Sequence, residues 1–207
     1  MTLYNSAVKR VIFVILLIII CGRNAEAEVS IHEIANRYRV PAALMSAIQE
    51  AESGNNPYAM HLQASVANSV VIKKLLDYHS ISHSMYSQSG KTHFVVRNKS
   101  YREAEYVLTY ATPYCIHWDT GLFQISEYWI KRKNLVPTDL LDTAYNAQWG
   151  AKILRSCLDQ EKGVLWLATE CYNRGSSKGR LSEYSRRVYQ CHLKQLRRSR
   201  IQLASSQ

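Results

Sequence analysis

Two glutamates, Glu50 and Glu52, close the segment "AIQEAE" at residues 47–52, and the breaker run "SGNNP" follows at 53–57. Pro41 is favoured at a first helical position, so it opens this stretch; Gly54 and Pro57 end it. On a 3.6-residue period Leu44, Ile48, Ala51 and Glu52 share one face, while Glu50 turns roughly 200° away from Glu52. Glu52 is therefore expected on the apolar face and Glu50 in solvent. Burial raises a carboxyl pKa, and the negative end of a helix dipole acts in the same direction. A carboxylic acid held protonated near neutral pH is what general acid catalysis requires. A glutamate at a helix end is also an ordinary surface acid, so the rest of the chain has to decide between the two.

The elements around it are read as mostly helical. "VSIHEIANRYRV" puts Ile31, Ile34, Ala35 and Tyr38 on one face, with Ser30 as an N-cap. Residues 61–118 differ in character. There "ASVANSVVIKKLLDYH" suits an amphipathic helix with Val66, Val70 and Leu75 inward. "SHSMYSQSGKTH" reads as a polar loop, and "HFVVRN" as a short strand. "SYREAEYVLTYA" reads as a helix with Ser100 and Glu103 in a capping box. Beyond it, "LLDTAYNAQWGAKILRSCLDQ" predicts a long helix with Tyr145, Trp149, Ile153 and Leu154 inward. "GVLWLATECYNRG" is an apolar helix ending at Gly175, and a basic helix follows. The expected class is mainly α (α+β), with a small inserted lobe at about 61–118 beside a helical body.

The chain has 207 residues, 47% of them hydrophobic, which suits one domain with an apolar core. Lys9 and Arg10 precede an apolar run, and Ala25-Glu26-Ala27 follows it. That order predicts a secretory leader over 1–27, cleaved after Ala27. The run is far shorter than the ~20 residues of a spanning helix, so a membrane is expected to enter only through the leader. An uncleaved anchor is the rival; lipid attachment at Cys21 is disfavoured by the bulky Ile20. Removing 1–27 takes away three basic residues and one acidic one, and lowers the formal charge from +10 to +8. A basic exported chain suits an anionic partner such as wall polymer or lipid, and export argues against nucleic acid. The folded domain is expected over 28–198, with a flexible tail over 199–207.

Cys115, Cys157, Cys171 and Cys191 remain after the leader. An even number in an oxidising compartment suggests two disulfides among three possible pairings. The preferred pairing is Cys115–Cys171 with Cys157–Cys191. No Cys-x-x-Cys occurs and the seven histidines are scattered. No metal and no cofactor is expected, and the histidines are read as polar surface groups.

Four segments carry a resemblance. "AIQEAESG", "GLFQI", "LLDTAYNAQWGAKIL" and "CYNRG" occur in the order of the soluble lytic transglycosylase family of peptidoglycan-cleaving enzymes. The motif positions are Glu52 and Ser53; Gly121, Leu122, Phe123, Gln124 and Ile125; Asp142, Asn146, Gly150 and Ala151; and Tyr172, Asn173 and Gly175. "WDTGLFQIS" is similar to the members that accompany type IV secretion, conjugation and pilus assembly. The resemblance covers about 30–60 and 115–192, and departs from the usual pattern in the long insertion between Ser53 and Gly121. It implies a lysozyme-like fold, a periplasmic location, peptidoglycan as partner and a monomeric enzyme, with secretion, conjugation or pilus machinery as further partners. It also implies that Glu52 protonates the glycosidic oxygen between N-acetylmuramic acid and N-acetylglucosamine. As a carboxylate it then takes the C6 hydroxyl proton while a 1,6-anhydro ring closes.

The same resemblance implies roles for other residues. Gly121 would let the backbone approach the sugar, Phe123 would offer it an apolar face, and Gln124 would hydrogen-bond it. Tyr172 would orient Glu52, and Asn173 would hold the loop or the substrate. Ser53 and Leu122 would line the site, and Asp142 and Asn146 would cap and pack a helix. Asp119 is a possible second carboxylate; near the scissile bond it would favour a hydrolytic lysozyme-type reaction. As a turn residue it would bond only its own backbone. A non-catalytic wall-binding scaffold is the reading from outside enzymology. The basic run Arg186, Arg187, Lys194, Arg197, Arg198 and Arg200 is a solvated face or a contact for anionic polymer or a machine partner.

Overall fold

A computed structural model describes residues 30–205, apart from 178 and 180. The leader expected over 1–27 lies outside the described residues. Helix α1 (Ile31–Tyr38) buries Ile34 and Ala35. Helix α2 (Ala42–Ser53) buries Leu44, Met45, Ala47 and Ile48. Gly54 ends α2 in the left-handed conformation at φ 62°, its amide donating to Glu50 O at 3.1 Å. That arrangement satisfies an orphan carbonyl and turns the chain away directly after Glu52.

The chain then enters a five-stranded antiparallel sheet in the order β2-β3-β1-β4-β5. The strands are β1 (Ala59–Ser65), β2 (His83–Gln88), β3 (Lys91–Arg97), β4 (His117–Thr120) and β5 (Ile125–Ser126). Helix α3 (Val66–Tyr78) crosses from β1 to β2, and α4 (Tyr101–Tyr106) continues into a π-helical turn at Val107–Ala111. Side chains alternate across a strand. Met60, Leu62, Ala64, Phe94 and Val96 thus share one face, which packs with Ile72, Leu76, Val107 and Leu108 into the lobe's apolar core. The opposite face presents His61, Gln63, His93, His117 and Asp119.

The rest is helical: α5 (Glu127–Lys133), α6 (Thr143–Gln160), α7 (Leu165–Arg174) and α8 (Glu183–Ser205). Asp142 caps α6, accepting from the Tyr145 amide at 2.7 Å. Among the described residues no helix is long and apolar enough to cross a membrane.

Several expectations change. The polar loop of the eighties is the edge strand β2. Ser89 and Gly90, both at positive φ, make the two-residue turn that pairs β2 with β3. In α3 the inward stripe is Ser69, Ile72 and Leu76, while Val66 and Val70 are exposed. In α6 Ile153 and Leu154 are buried as expected; Tyr145 and Trp149 are only half-buried. Helix α8 runs to Ser205.

The preferred disulfide pairing is overturned. Cys157 of α6 bonds Cys171 of α7 across a Cα separation of 5.6 Å. A short connection folds α7 back on α6 and brings these two together, whereas Cys115 belongs to the sheet lobe and Cys191 to α8. Both of those are free thiols, and burial pushes the Cys115 thiol up to about 12.

Candidate active site

Glu52 sits on the last turn of α2, at the wall of a groove of about 1050 Å³ that runs between the helical body and the polar face of the sheet. The residue keeps some accessibility, but its carboxyl is enclosed, and burial pushes its pKa up to about 7. The hydroxyl of Tyr184, from α8, donates to Glu52 Oε1 at 2.6 Å and opposes that rise. The Asp119 charge adds to the rise and the Arg187 charge opposes it. Glu50 does not face open solvent as its helical position suggested. Lys194 Nζ donates to its Oε1 at 2.5 Å and Gln195 Nε2 to its Oε2 at 2.8 Å. It therefore docks α8 on α2, the arrangement that brings Tyr184 over Glu52.

The tyrosine expected on Glu52 was Tyr172. Its hydroxyl instead donates to Phe123 O at 2.8 Å, although the charges of Glu52 and Asp119 are both felt there. Tyr184 lies in none of the four motif segments. Its helix places it four residues before the buried Val188, so the pattern shows that it packs inward but not what its hydroxyl meets. Another unforeseen residue fixes the start of that helix. Glu170 is fully buried and accepts from the Ser182 amide at 2.5 Å, from the Ser185 hydroxyl and from Arg174. These donors outweigh its burial and hold its pKa down to about 2.

The "GLFQI" segment is a tight loop packed against α6, and of its residues Gln124 lines the groove. Gly121 has φ 82°, and a Cβ there would lie 2.1 Å from Asn146 Nδ2 and 2.8 Å from Leu140 O. The glycine is needed for the close approach of Asn146. Asn146 in turn accepts from the Phe123 amide at 2.8 Å and donates to Thr120 O and Leu140 O at 3.1 and 2.9 Å. Leu122 and Phe123 are buried, and Phe123 packs on Gly150, where a Cβ would come within 2.5 Å of its ring. Neither presents an apolar face to the groove. Gln124 does line the groove at φ 46°, with its Nε2 donating to Ala59 O and Gly121 O, both at 2.8 Å. Ser53 and Asn173 line it too; the Ser53 hydroxyl donates to Gln49 O at 3.1 Å.

Asp119 shares the groove with Glu52. It is no self-bonded turn residue: it lies in β4, directly opposite His61 of β1. His61 Nδ1 is 3.2 Å from its Oδ2, and His117 Nε2 is 3.0 Å from its Oδ1. Burial alone would raise the pKa of Asp119, but the two histidines hold it below the usual value. The histidines were expected at the surface. His93, however, is buried, stacks on Tyr86 at a ring separation of 4.8 Å and meets His61 at 3.1 Å. Among the described residues no His, Cys, Asp and Glu group could hold a metal ion.

A protonatable carboxyl beside a fixed anion in an open groove can give and take a proton at a bond lying between them. No curated protein and no solved structure matches the chain. A family model described as "Transglycosylase SLT domain" matches residues 30–191, and members of that family are lytic transglycosylases, lyases that act on peptidoglycan outside the cytoplasm. Matched over most of its length, and with a mainly helical body carrying a small antiparallel sheet, the chain belongs to the transglycosylase SLT-domain family and is a peptidoglycan lytic transglycosylase.

Proposed function

We propose that Glu52 is the single proton donor and acceptor in cleavage of the β-1,4 bond between N-acetylmuramic acid and N-acetylglucosamine, with a 1,6-anhydro product. The observation that carries this reading is the enclosed Glu52 carboxyl at the groove wall, bonded by the Tyr184 hydroxyl. A carboxyl with a pKa of about 7 is available in both forms near neutrality. As an acid it protonates the leaving glycosidic oxygen. As a carboxylate it removes the proton of the C6 hydroxyl, whose oxygen closes on the anomeric carbon, so no water is consumed. One carboxyl then does what a pair does in ordinary glycosidases. The test is release of soluble fragments from purified sacculi. Glu52→Gln should lower the rate by roughly 10²–10⁴-fold; an unchanged rate would remove Glu52 from the chemistry.

The hydrolytic alternative rests on Asp119, which lines the same groove. Both its oxygens face histidine nitrogens, which disfavours a nucleophilic role. The site of action we propose is the periplasm, where the enzyme opens the wall locally for a secretion, conjugation or pilus apparatus. This reading rests on the "WDTGLFQIS" form and the expected leader. Its test is assembly of the apparatus after deletion, restored by the parent chain and not by Glu52→Gln.

A further inference from the structure

A chain of hydrogen bonds outside the four motif segments crosses the polar face of the sheet and ends on Asp119. Lys91 Nζ donates to Gln63 Oε1 at 3.4 Å, which leaves the Gln63 amide nitrogen to face His93 Nε2, also at 3.4 Å. An amide nitrogen only donates, so His93 accepts on Nε2 and donates through Nδ1 to His61 Nε2 at 3.1 Å. His61 then donates through Nδ1 to Asp119 Oδ2. A carboxylate only accepts, so the two ends of the chain agree on one direction. From the other side His117 Nε2 donates to Asp119 Oδ1, while its Nδ1 lies 3.8 Å from Glu127 Oε1. Glu127 is paired with Lys131.

We infer that His61 and His117 are positioning residues: they clamp both oxygens of Asp119 and fix its carboxylate as an anion in the groove that Glu52 lines. The strand register builds the clamp. Asp119 is opposite His61 and His117 is opposite Gln63 on neighbouring strands, with His93 one strand further out. His117 is held above its usual pKa, chiefly by its bond to Asp119, and His93 below its own, chiefly by burial. A fixed negative charge beside Glu52 favours the protonated acid. The same charge would steady positive charge developing on the sugar ring. The groups that bear on the pair are Tyr184 and Arg187 from α8, Tyr172 from α7, His117 and Asp119 from β4, His61 from β1, His93 and Lys91 from β3, and Glu127 from α5.

This inference rests on Glu52 as the proton donor, and the experiment separates the two. The readout is the alkaline limb of the pH profile for fragment release from sacculi at low substrate, expected near 7 in the parent. Asp119→Asn removes the anion and should move that limb to lower pH by about half a unit or more. The double variant His61→Ala/His117→Ala strips the carboxylate of its donors, so that burial leaves Asp119 protonated and its charge lost, and should move the limb the same way. His61→Asn/His117→Gln restores an amide donor at the places of Nδ1 and Nε2, without the histidine charge, and should move the limb back toward the parent's. If the alanine pair does not fold, Asp119→Asn and the Asn/Gln pair carry the comparison. An unmoved limb in Asp119→Asn overturns the clamp, as does an Asn/Gln pair that melts like the parent yet keeps the full displacement of the alanine pair. Activity retained by Glu52→Gln would instead overturn the proton-donor reading.

Discussion

Tyr184→Phe isolates the one side-chain hydrogen bond that Glu52 receives among the described residues. The ring is nearly buried and stays in place, so the change removes little besides the hydroxyl 2.6 Å from Glu52 Oε1. A hydrogen bond to a charged group is worth roughly 1.5–3 kcal/mol, and one to the neutral acid about 1 kcal/mol. The difference, about 0.5–2 kcal/mol, favours the ionised form and corresponds to about one pKa unit. Without the hydroxyl the Glu52 pKa should rise from about 7 to roughly 8. The protonated form is the general acid, so the alkaline limb of fragment release should move up by the same amount. The rate at the optimum should fall about tenfold, because the carboxyl loses the group that aims it. The assay is the initial rate of sacculus solubilisation across roughly pH 5–9, with thermal melting as a control for folding. A limb that stays in place or moves to lower pH would show that the Tyr184 bond does not set the acidity of Glu52.

Three further outcomes test the frame that carries the site. Gly121→Ala forces a side chain into the left-handed region against Asn146 and Leu140 O, and should cost about 2–4 kcal/mol in urea unfolding; a loss below about 0.5 kcal/mol would contradict that contact. Glu170 has a pKa depressed from 4.5 to about 2, so its contribution is present above 4.5 and lost as pH falls toward 2. Glu170→Gln should therefore lower stability at neutral pH, by at most roughly 3 kcal/mol, and flatten the acid dependence in that window; equal slopes in parent and variant would refute the assignment. The Cys157–Cys171 bridge spans 14 residues and should contribute about 3 kcal/mol, read as a lower Tm in Cys157→Ser/Cys171→Ser. Thiol titration of the unfolded, unreduced protein lacking residues 1–27 should count Cys115 and Cys191 alone; a count of zero or four would refute the pairing.

The helical body was legible because long periodic segments dominate it. The placement of Glu52 on the apolar face of α2 followed from residue spacing and from the breaker at Gly54. The sheet was only partly legible. "AMHLQAS" alternates apolar and polar residues as a half-buried strand should, with His61 and Gln63 on the wet side. A helical pattern beginning at the next residue masked that signal. "HWDT" alternates in the same way, but only strand pairing brings Asp119 opposite His61. Register is a property of two segments and is not written in either one. The same limit hid Tyr184, which reaches Glu52 from 132 residues away, and it misdirected the disulfide pairing. In the motif segments Asp142 and Asn146 cap and pack as their types suggest, while the Tyr172 hydroxyl meets Phe123 O rather than Glu52. Gly121, Phe123 and Asn146 pack on one another, a contact set by a tight loop against a helix that spacing within one segment does not reveal.

The most direct measurement is mass spectrometry of fragments released from purified sacculi in ¹⁸O-labelled water. Ring closure by the C6 hydroxyl leaves muramic ends that are one water lighter and carry no label, and this is the expected result for Glu52 acting in both proton transfers. Reducing ends that carry the label would show that water attacks the anomeric carbon, and would contradict it.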